Sequence, residues 1–382
     1  MPSPFGFRVT HVDGRARRGV LNTPHGTVQT PAFMPIGTSG TVKSLIHRDL
    51  LELGAEIVLA NTYHLCLRPG DDLIGRLGGL HRFMGWSSPI LTDSGGYQVF
   101  SLSKRRTVDE NGVRFRSHLD GSEHLFTPER ATEIQSTLGS DIAMAFDECT
   151  PYPASREEAR RSMDLTHRWA RRSRRRFLEL QQADDRSVVT NPGQAQFGIV
   201  QGSVYPDLRR ESVEQIAEVG FDAYAVGGLS VGEPIDEMYD VGGQTAGALP
   251  HDRPRYLMGV GTPTDLVEMV ARGFDMFDCV LPTRNARNGQ LFTRRGTLSI
   301  KGVRFAEDES PPDPDCECYT CRHFSRAYLR HLFVANEITA ATLNTLHNLH
   351  FYLDTMKRIS EAIVLGSFEK FRQTFHETYS RR

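Results

Sequence analysis

The sequence lacks the signals of membrane insertion and export. No stretch approaches the roughly 18 consecutive apolar residues that a transmembrane helix needs. The first eight residues, MPSPFGFR, lack the charged and apolar regions of a signal peptide. We therefore expect a cytoplasmic protein, in which closely spaced cysteines favour metal binding over disulfides.

The sequence also has little net charge, no internal repeat and no low-complexity segment. Its formal charge of -2 gives no sign of a polyanionic partner for the molecule as a whole. The charges are unevenly distributed, however, because one segment carries six cations and no acidic residue: Arg284, Arg287, Arg294, Arg295, Lys301 and Arg304. This basic segment predicts a phosphate-binding surface. A second basic run, residues 168–176, fits such a surface or the solvated face of a helix equally well.

Half of the six cysteines lie within six residues of one another. Cys316, Cys318 and Cys321 have the spacing of zinc ligands, and zinc in a structural role is held by four Cys or His side chains. We favour His347 as the fourth ligand, ahead of His323, His331 and His350. A closed site of this kind stabilises a fold and performs no chemistry, so the active site is expected elsewhere.

Short apolar runs alternate with helix-like stretches along most of the chain. The apolar runs are 33–36, 56–60, 89–91, 142–146, 197–200, 223–226, 256–258 and 274–277. The helical stretches are 44–53, 128–138, 156–180, 208–219, 235–243, 264–271 and about 341–363. This alternation predicts an α/β fold in which eight parallel strands close into a (β/α)8 TIM-type barrel. The competing fold is a doubly wound open sheet, but no Gly-x-Gly-x-x-Gly follows a strand and opens a helix.

The remaining segments are interpreted as additions to a single catalytic barrel domain that spans 1–382. Residues 1–30, with turns near 13–14 and 25–26, predict an N-terminal antiparallel β extension. Residues 293–350 predict a zinc-binding subdomain inserted between the eighth strand and the last long helix.

Polar or glycine residues follow the predicted strands. They are Asn61, Asp93, Asp147, Gln201, Gly227, Gly228, Gly259 and Asp278. In a TIM-type barrel these ends form the active-site face. Three of the residues are carboxylates, which displacement at a sugar carbon and purine recognition both require. Asp275 lies three residues before Asp278, so its side chain should lie on the other face of the strand.

Longer stretches around these positions resemble one family, the bacterial tRNA-guanine transglycosylases, which exchange a base during queuosine synthesis. The matching stretches are NTYHL at 61–65, RPG at 68–70, DSGGYQVFSL at 93–102, FDEC at 146–149, GIVQG at 198–202, GGLSVG at 227–232, residues 278–289 and the Cys-x-Cys-x-x-Cys…His set.

The resemblance implies a mechanism. Asp278 matches the nucleophile, which attacks the ribose carbon of the wobble guanosine and forms a covalent tRNA ester. Asp93 matches the general acid/base that serves the departing and entering bases. Two displacements at one carbon retain its configuration, as in retaining glycosidases.

The resemblance also implies a base pocket. Asp147 matches the carboxylate that binds the purine ring N–H and amine, and Gln201 and the Gly228 N–H match donors to the base carbonyl. The Leu229 carbonyl matches the acceptor for an aminomethyl group. The other implied contacts are Tyr97 and Met258, which sandwich the base, and Asn61. Cys149 and Val231 follow the bacterial pattern, which implies 7-aminomethyl-7-deazaguanine (preQ1) as the substrate, although Val231 could also be a simple core residue.

The implied partners are tRNAs with a G-U-N anticodon (Asp, Asn, His and Tyr), one structural Zn²⁺ per subunit and a second copy of the chain. The tRNA would contact Thr283, Arg284, Asn285, Ala286 and Arg287, which we interpret as a loop. Phe324, Tyr328 and His331 would anchor a homodimer, unless they pack within the inserted segment. Two alternatives remain: a non-catalytic tRNA-binding subunit of a heterodimeric transglycosylase, and a TIM-barrel glycosidase that acts on free sugars.

Overall fold

The barrel is the centre of the fold. A computed structural model of the protein describes residues 5–97, 106–183, 185 and 188–379. Its parallel strands lie in one sheet and are Ala32–Met34, Ile36–Gly37, Val58–Ala60, Ile90–Thr92, Ile142–Met144, Ala195–Val200, Ala223–Val226, Arg255–Leu257 and Met276–Asp278.

The sheet closes on itself through its first two strands. Ala32–Met34 pairs with Met276–Asp278, and Ile36–Gly37 pairs with Val58–Ala60. Only Pro35 separates these two short strands, so they act as one strand interrupted by a residue that cannot donate a ladder hydrogen bond. The barrel therefore has eight strand positions, and the predicted (β/α)8 architecture is confirmed.

The helices predicted from the sequence are present; the helix 128–138 has the predicted ends, and the ends of the others are shifted. They are His47–Glu52, Pro128–Leu138, Arg156–Ala183, Pro206–Val219, Ile235–Ala248, Pro263–Ala271 and Ile338–Val364. The Thr127 hydroxyl accepts the Arg130 N–H and caps a helix that opens with Pro128, while Gly220 ends another helix at a φ of 78°. Within the described ranges, every helix is too short or too polar to span a bilayer.

Strand residues alternate between two hydrophobic clusters. Met34, Leu59 and Ile199 point into the barrel, whereas their neighbours Phe33, Val58 and Val200 pack against the surrounding helices. The antiparallel strands Gly6–Asp13, Ala16–Thr23 and Gly26–Thr30 form the predicted N-terminal extension. Leu21 and Val28 of this extension join the inner cluster, so the extension covers the amino end of the barrel.

Several elements were not predicted. Helices Thr62–Leu67, Asp71–Arg76 and Gly79–Met84 follow the second barrel strand position, and an antiparallel sheet of Arg106–Asp109, Gly112–Arg116 and Glu123–Phe126 follows the third. These helices have six residues each, too few to show a clear 3.6-residue period.

The cysteine-rich segment has a small core of its own. It comprises the hairpin Gln290–Thr293 and Gly296–Ser299, the 3₁₀ turn Val303–Phe305, and helices Tyr319–His323 and Arg326–Val334. Leu291, Phe305, Leu329 and Leu343 belong to a cluster separate from that of the barrel. This small core supports a subdomain over 293–350, but the proposed division of the chain remains a prediction. Helix Phe368–Tyr379 is the last described element.

Candidate active site

The carboxyl ends of the barrel strands surround a cavity of 440 Å³. All eleven residues predicted to react or to bind the base line this cavity: Asn61, Asp93, Tyr97, Asp147, Cys149, Gln201, Gly228, Leu229, Val231, Met258 and Asp278. Each strand delivers its residue there because parallel strands end at the same edge of the barrel.

Asp278 is the last residue of its strand and is buried. The Tyr256 hydroxyl and the Gly259 N–H both donate to its Oδ1, at 2.6 and 2.7 Å. Burial raises the pKa of Asp278, and the two hydrogen bonds oppose that rise because they favour the carboxylate. The two hydrogen bonds to Oδ1 thus fix the orientation of the Asp278 carboxylate at the cavity wall.

Asp93 follows the strand Ile90–Thr92 and is buried as well. Its Oδ1 accepts the backbone N–H groups of Thr62 at 2.9 Å and Gly95 at 3.2 Å, and its Oδ2 accepts the Asn61 amide at 2.5 Å. Burial raises the pKa of Asp93 to about 7, with the charge of Asp278 adding to that rise. A carboxyl with a pKa near neutrality can give and take a proton under ordinary conditions.

Asp147 is the third carboxylate of the cavity. The Gln201 Nε2 donates to its Oδ2 at 2.8 Å, and the Ser94 hydroxyl donates to its Oδ1 at 3.2 Å. Burial raises the pKa of Asp147 to about 6, against the effect of these two bonds. The three carboxyls therefore share one cavity in three different hydrogen-bonding environments.

A loop after the strand Ala223–Val226 forms another part of the wall. Gly228 has a φ of 65°, and a Cβ there would lie 2.3 Å from the Gln201 Oε1, so only glycine fits. Further along, the Glu233 carboxylate accepts the N–H groups of Ser230 and Val231. A trans peptide directs its N–H and C=O to opposite sides, so the Leu229 carbonyl points away from Glu233.

The cysteine cluster lies apart from this cavity. The Nδ1 of His347 lies 3.8, 3.5 and 3.3 Å from the sulfurs of Cys316, Cys318 and Cys321. These four ligand atoms lie within 4.8 Å of one another and could hold a metal ion. The His347 Nε2 lies 2.7 Å from the Phe292 carbonyl, which leaves Nδ1 facing the three sulfurs, where it could bind a metal ion.

Comparisons with known proteins show the family to which the chain belongs. A family model described as queuine tRNA-ribosyltransferase matches residues 13–381. The chain belongs to the queuine tRNA-ribosyltransferase family. A protein of that name from Solidesulfovibrio magneticus is 57% identical over 379 residues, which cover 99% of each chain. Another from Caldanaerobacter subterraneus is 56% identical over 375 residues, which cover 98% of this chain and 97% of the relative.

Membership of this family confirms the resemblance drawn from the motifs and the enzyme class, a pentosyltransferase of the tRNA-guanine transglycosylase type. Part of one matching stretch, residues 98–102, lies outside the described residues. The assignment of individual roles to the residues of this cavity remains a prediction.

Asp275 lies directly before the strand Met276–Asp278, at the end opposite to Asp278. It is buried and forms an ion pair with Arg17 of the N-terminal extension, and its Oδ2 also accepts the Arg255 N–H at 2.8 Å. The carboxylate therefore joins the extension to the barrel and lies outside the residues that line the cavity.

The segment predicted as an RNA-binding loop is a helix, Leu281–Arg287, with Pro282 in its first turn. The loop prediction was wrong because a helix of seven residues, about two turns, is too short to show a clear periodicity. Thr283 and Ala286 are buried against the rest of the protein, whereas Arg284 is exposed and lines the cavity. Of the five predicted tRNA contacts, Arg284 is thus the one placed at the mouth of the site.

Most cations of the second basic run are paired with carboxylates. Arg168, Arg172, Arg174 and Arg176 lie 2.7 to 3.0 Å from acidic side chains of neighbouring elements: Glu110, Glu129, Asp222 and Glu133. This arrangement favours the interpretation of the run as a helix surface over that of a phosphate-binding surface.

Sequence reasoning missed several residues that support the site. Tyr256 orients Asp278, and Ser94 donates a hydrogen bond to Asp147. Glu233 holds the loop after Gly228. For Tyr256 a signal was available, since Met258 was predicted in the pocket and residues two apart share a strand face. Glu233 could not be found in this way, because its contacts depend on the turn of a loop.

Proposed function

We propose that this chain exchanges the wobble guanine of G-U-N tRNAs for preQ1 by double displacement through a covalent aspartyl-tRNA ester. The observation that carries the proposal is the pairing, in one cavity, of a carboxylate held by Tyr256 and Gly259 with a second carboxyl of pKa about 7. One group suits a nucleophile and the other an acid and base.

In the first displacement, an Asp278 carboxylate oxygen forms a bond to the ribose C1′ while the bond from C1′ to guanine N9 breaks. The electron pair of that bond leaves with guanine, and Asp93 donates the proton that neutralises it. Because Oδ1 of Asp278 already accepts two hydrogen bonds, we assign the attack to Oδ2.

In the second displacement, Asp93, now a carboxylate, removes the N9 proton of preQ1. The N9 atom attacks C1′, and the ester bond to Asp278 breaks with its electrons returning to the carboxylate. Both carboxyls end in their starting states, so no other reactant is needed.

The pocket suits an aminomethyl base. Asp147 offers acceptor oxygens to the ring N–H and amine, and the Leu229 carbonyl is directed away from Glu233, which fits an acceptor for the aminomethyl ammonium group. The Gly228 N–H and the Gln201 amide would serve the base carbonyl. Val231 and Cys149 line the same cavity, where they would limit the size of the entering base.

We assign tRNA binding to the cavity mouth around Arg284. The target base must leave its stack to reach Asp278, and the single-stranded anticodon loop lowers the cost of that step. Arg287 donates to the Thr283 carbonyl within its own helix, and Arg294 and Arg295 lie near acidic side chains, Asp354 and Asp315. We therefore assign these three arginines a weaker contribution than that of Arg284, namely general attraction of the tRNA phosphates.

We further propose that the cysteine cluster with His347 holds one structural Zn²⁺, and that the protein acts in the cytoplasm on its tRNA substrate. We also propose that the protein forms a homodimer through aromatic side chains of the same segment. Phe324 and Tyr328 stack at 5.6 Å between ring centroids, and Tyr328 and His331 stack at 6.5 Å. Tyr328 is 44% exposed, so this row offers an apolar anchor to a second copy.

The decisive experiment incubates the protein with a G-U-N tRNA and looks for a protein–tRNA adduct that survives denaturant. The same reaction, supplied with preQ1, should yield modified tRNA of the expected mass. A folded sample that binds tRNA without forming the adduct would favour the non-catalytic subunit. Cleavage of simple glycosides with no release of guanine would favour the glycosidase.

A further inference from the structure

A buried arginine lies directly behind the base pocket. Arg209 is in the first turn of the helix Pro206–Val219 and is only 1% exposed. Its guanidinium donates to four backbone carbonyls: Ser203 at 2.8 Å, Val200 at 3.1 Å, Gly227 at 2.7 Å and Gly228 at 3.1 Å. Among the described residues no carboxylate forms an ion pair with it.

This arrangement is costly for a residue with a purely structural role. A buried charge with no carboxylate in contact is disfavoured, and burial lowers the pKa of Arg209 to about 10, a fall that the charge of Glu233 partly opposes. A cation in the first turn of a helix also opposes the helix dipole. A neutral amide side chain has only two N–H donors, so a single residue that binds all four carbonyls must carry a charged guanidinium.

The carbonyls that Arg209 contacts belong to the pocket wall. The Gly227 carbonyl is in the same peptide group as the Gly228 N–H, and the two point to opposite sides of a trans peptide. Arg209 therefore binds the carbonyl side of this peptide, and the Gly228 N–H points away from the guanidinium. A hydrogen bond from a cation to the carbonyl polarises the peptide and strengthens the N–H as a donor.

We propose that Arg209 is a positioning residue of the base pocket, which polarises the Gly227–Gly228 peptide so that the Gly228 N–H stabilises negative charge on the purine carbonyl. The inference rests on the proposed function, because that charge arises when guanine leaves C1′ or when preQ1 loses its N9 proton. Donors fixed where charge develops are among the largest contributions to enzymatic rates.

The test compares guanine with 6-thioguanine, which retains the ring N–H and the amine but replaces the carbonyl oxygen with a poorer acceptor. Binding of both bases is measured for the wild type, Arg209→Gln and Arg209→Lys, together with guanine incorporation into tRNA. Arg255→Gln is the matched control, since Arg255 is also buried and donates to the Leu249 and Gly273 carbonyls, away from the cavity.

We expect Arg209→Gln to weaken guanine binding about 10- to 100-fold and 6-thioguanine binding far less, with kcat reduced and KM for tRNA unchanged. Arg209→Lys should restore part of the loss, and Arg255→Gln should leave the ratio of the two affinities unchanged. Equal losses for both bases in folded Arg209→Gln would overturn the inference.

Two outcomes do not depend on the folding of a variant. A wild type that binds guanine and 6-thioguanine equally well would overturn the role of Arg209 while leaving guanine exchange intact. A wild type that incorporates no guanine into tRNA would instead overturn the proposed function, on which this inference rests.

Discussion

The Tyr256 hydroxyl donates a 2.6 Å hydrogen bond to the Oδ1 of Asp278, from the neighbouring strand of the barrel. The bond fixes the direction of the carboxylate and favours its ionised form. It also connects Tyr256, which no motif identified, with the proposed nucleophile.

Removal of this hydroxyl should shift the pH dependence of adduct formation. In Tyr256→Phe the pKa of Asp278 should rise, because a hydrogen bond to the ionised form is lost. The acidic limb of kcat/KM should therefore move to higher pH, and the rate at neutral pH should fall about tenfold. Tyr224→Phe, in the adjacent strand but facing the helices, is the control. An unchanged acidic limb in Tyr256→Phe would contradict the assignment.

Asp278→Asn should abolish the covalent tRNA adduct while leaving tRNA affinity nearly unchanged, since the nucleophile is lost and the surface is not. Denaturing gels and a binding assay measure the two effects. Asp275→Asn should still form the adduct, but breaking its buried pair with Arg17 should cost about 3 kcal/mol of stability and lower the Tm. Loss of the adduct in folded samples of both variants would mean that the wrong carboxylate was chosen.

Asp93 should make stability depend on pH. Its pKa of about 7 in the folded state lies above the ordinary value, so the folded protein holds a proton that the unfolded chain has lost. That contribution is complete below about pH 4 and disappears as the pH rises through 7. The fall in Tm between pH 5 and pH 8 should be smaller in Asp93→Asn than in the wild type. Parallel Tm curves for the two proteins would show that the pKa is not raised.

The same pKa predicts a trend in the first chemical step. In the proposed mechanism Asp93 must be protonated to neutralise the departing guanine, so adduct formation should slow as the pH rises above about 7. Single-turnover measurements with tRNA, in the absence of added base, isolate this step. A rate that keeps rising to pH 9 would exclude Asp93 as the acid.

Metal content should distinguish two neighbouring histidines. The His350 Nδ1 lies 3.5 Å from the Cys316 sulfur, but His350 is outside the group of four ligand atoms. His347→Ala should lose zinc and stability, whereas His350→Ala should keep about one zinc per chain, as measured by elemental analysis. Stripping the metal should lower the Tm before it affects adduct formation. Loss of zinc from His350→Ala alone would reverse the assignment.

The order of strands and helices was set by the sequence. Eight apolar runs, each ending in a polar or glycine residue, predicted the barrel strands because parallel strands are covered on both faces and are largely apolar. The same endings placed Asp93, Asp147 and Asp278 at one edge, and the cysteine spacing indicated a metal site. These features are local, because each depends on only a few consecutive residues.

Contacts between distant segments were decided only by the tertiary structure. The bond from Tyr256 to Asp278, the pairing of Arg17 with Asp275 and the place of Arg209 behind Gly227 join segments far apart in the sequence or in different elements. The short helices and the inserted sheet likewise depend on what they pack against. Periodicity shows which face of an element is buried, but it cannot show which element covers that face. The covering residues set the pKa values and the orientations of the carboxylates in the cavity.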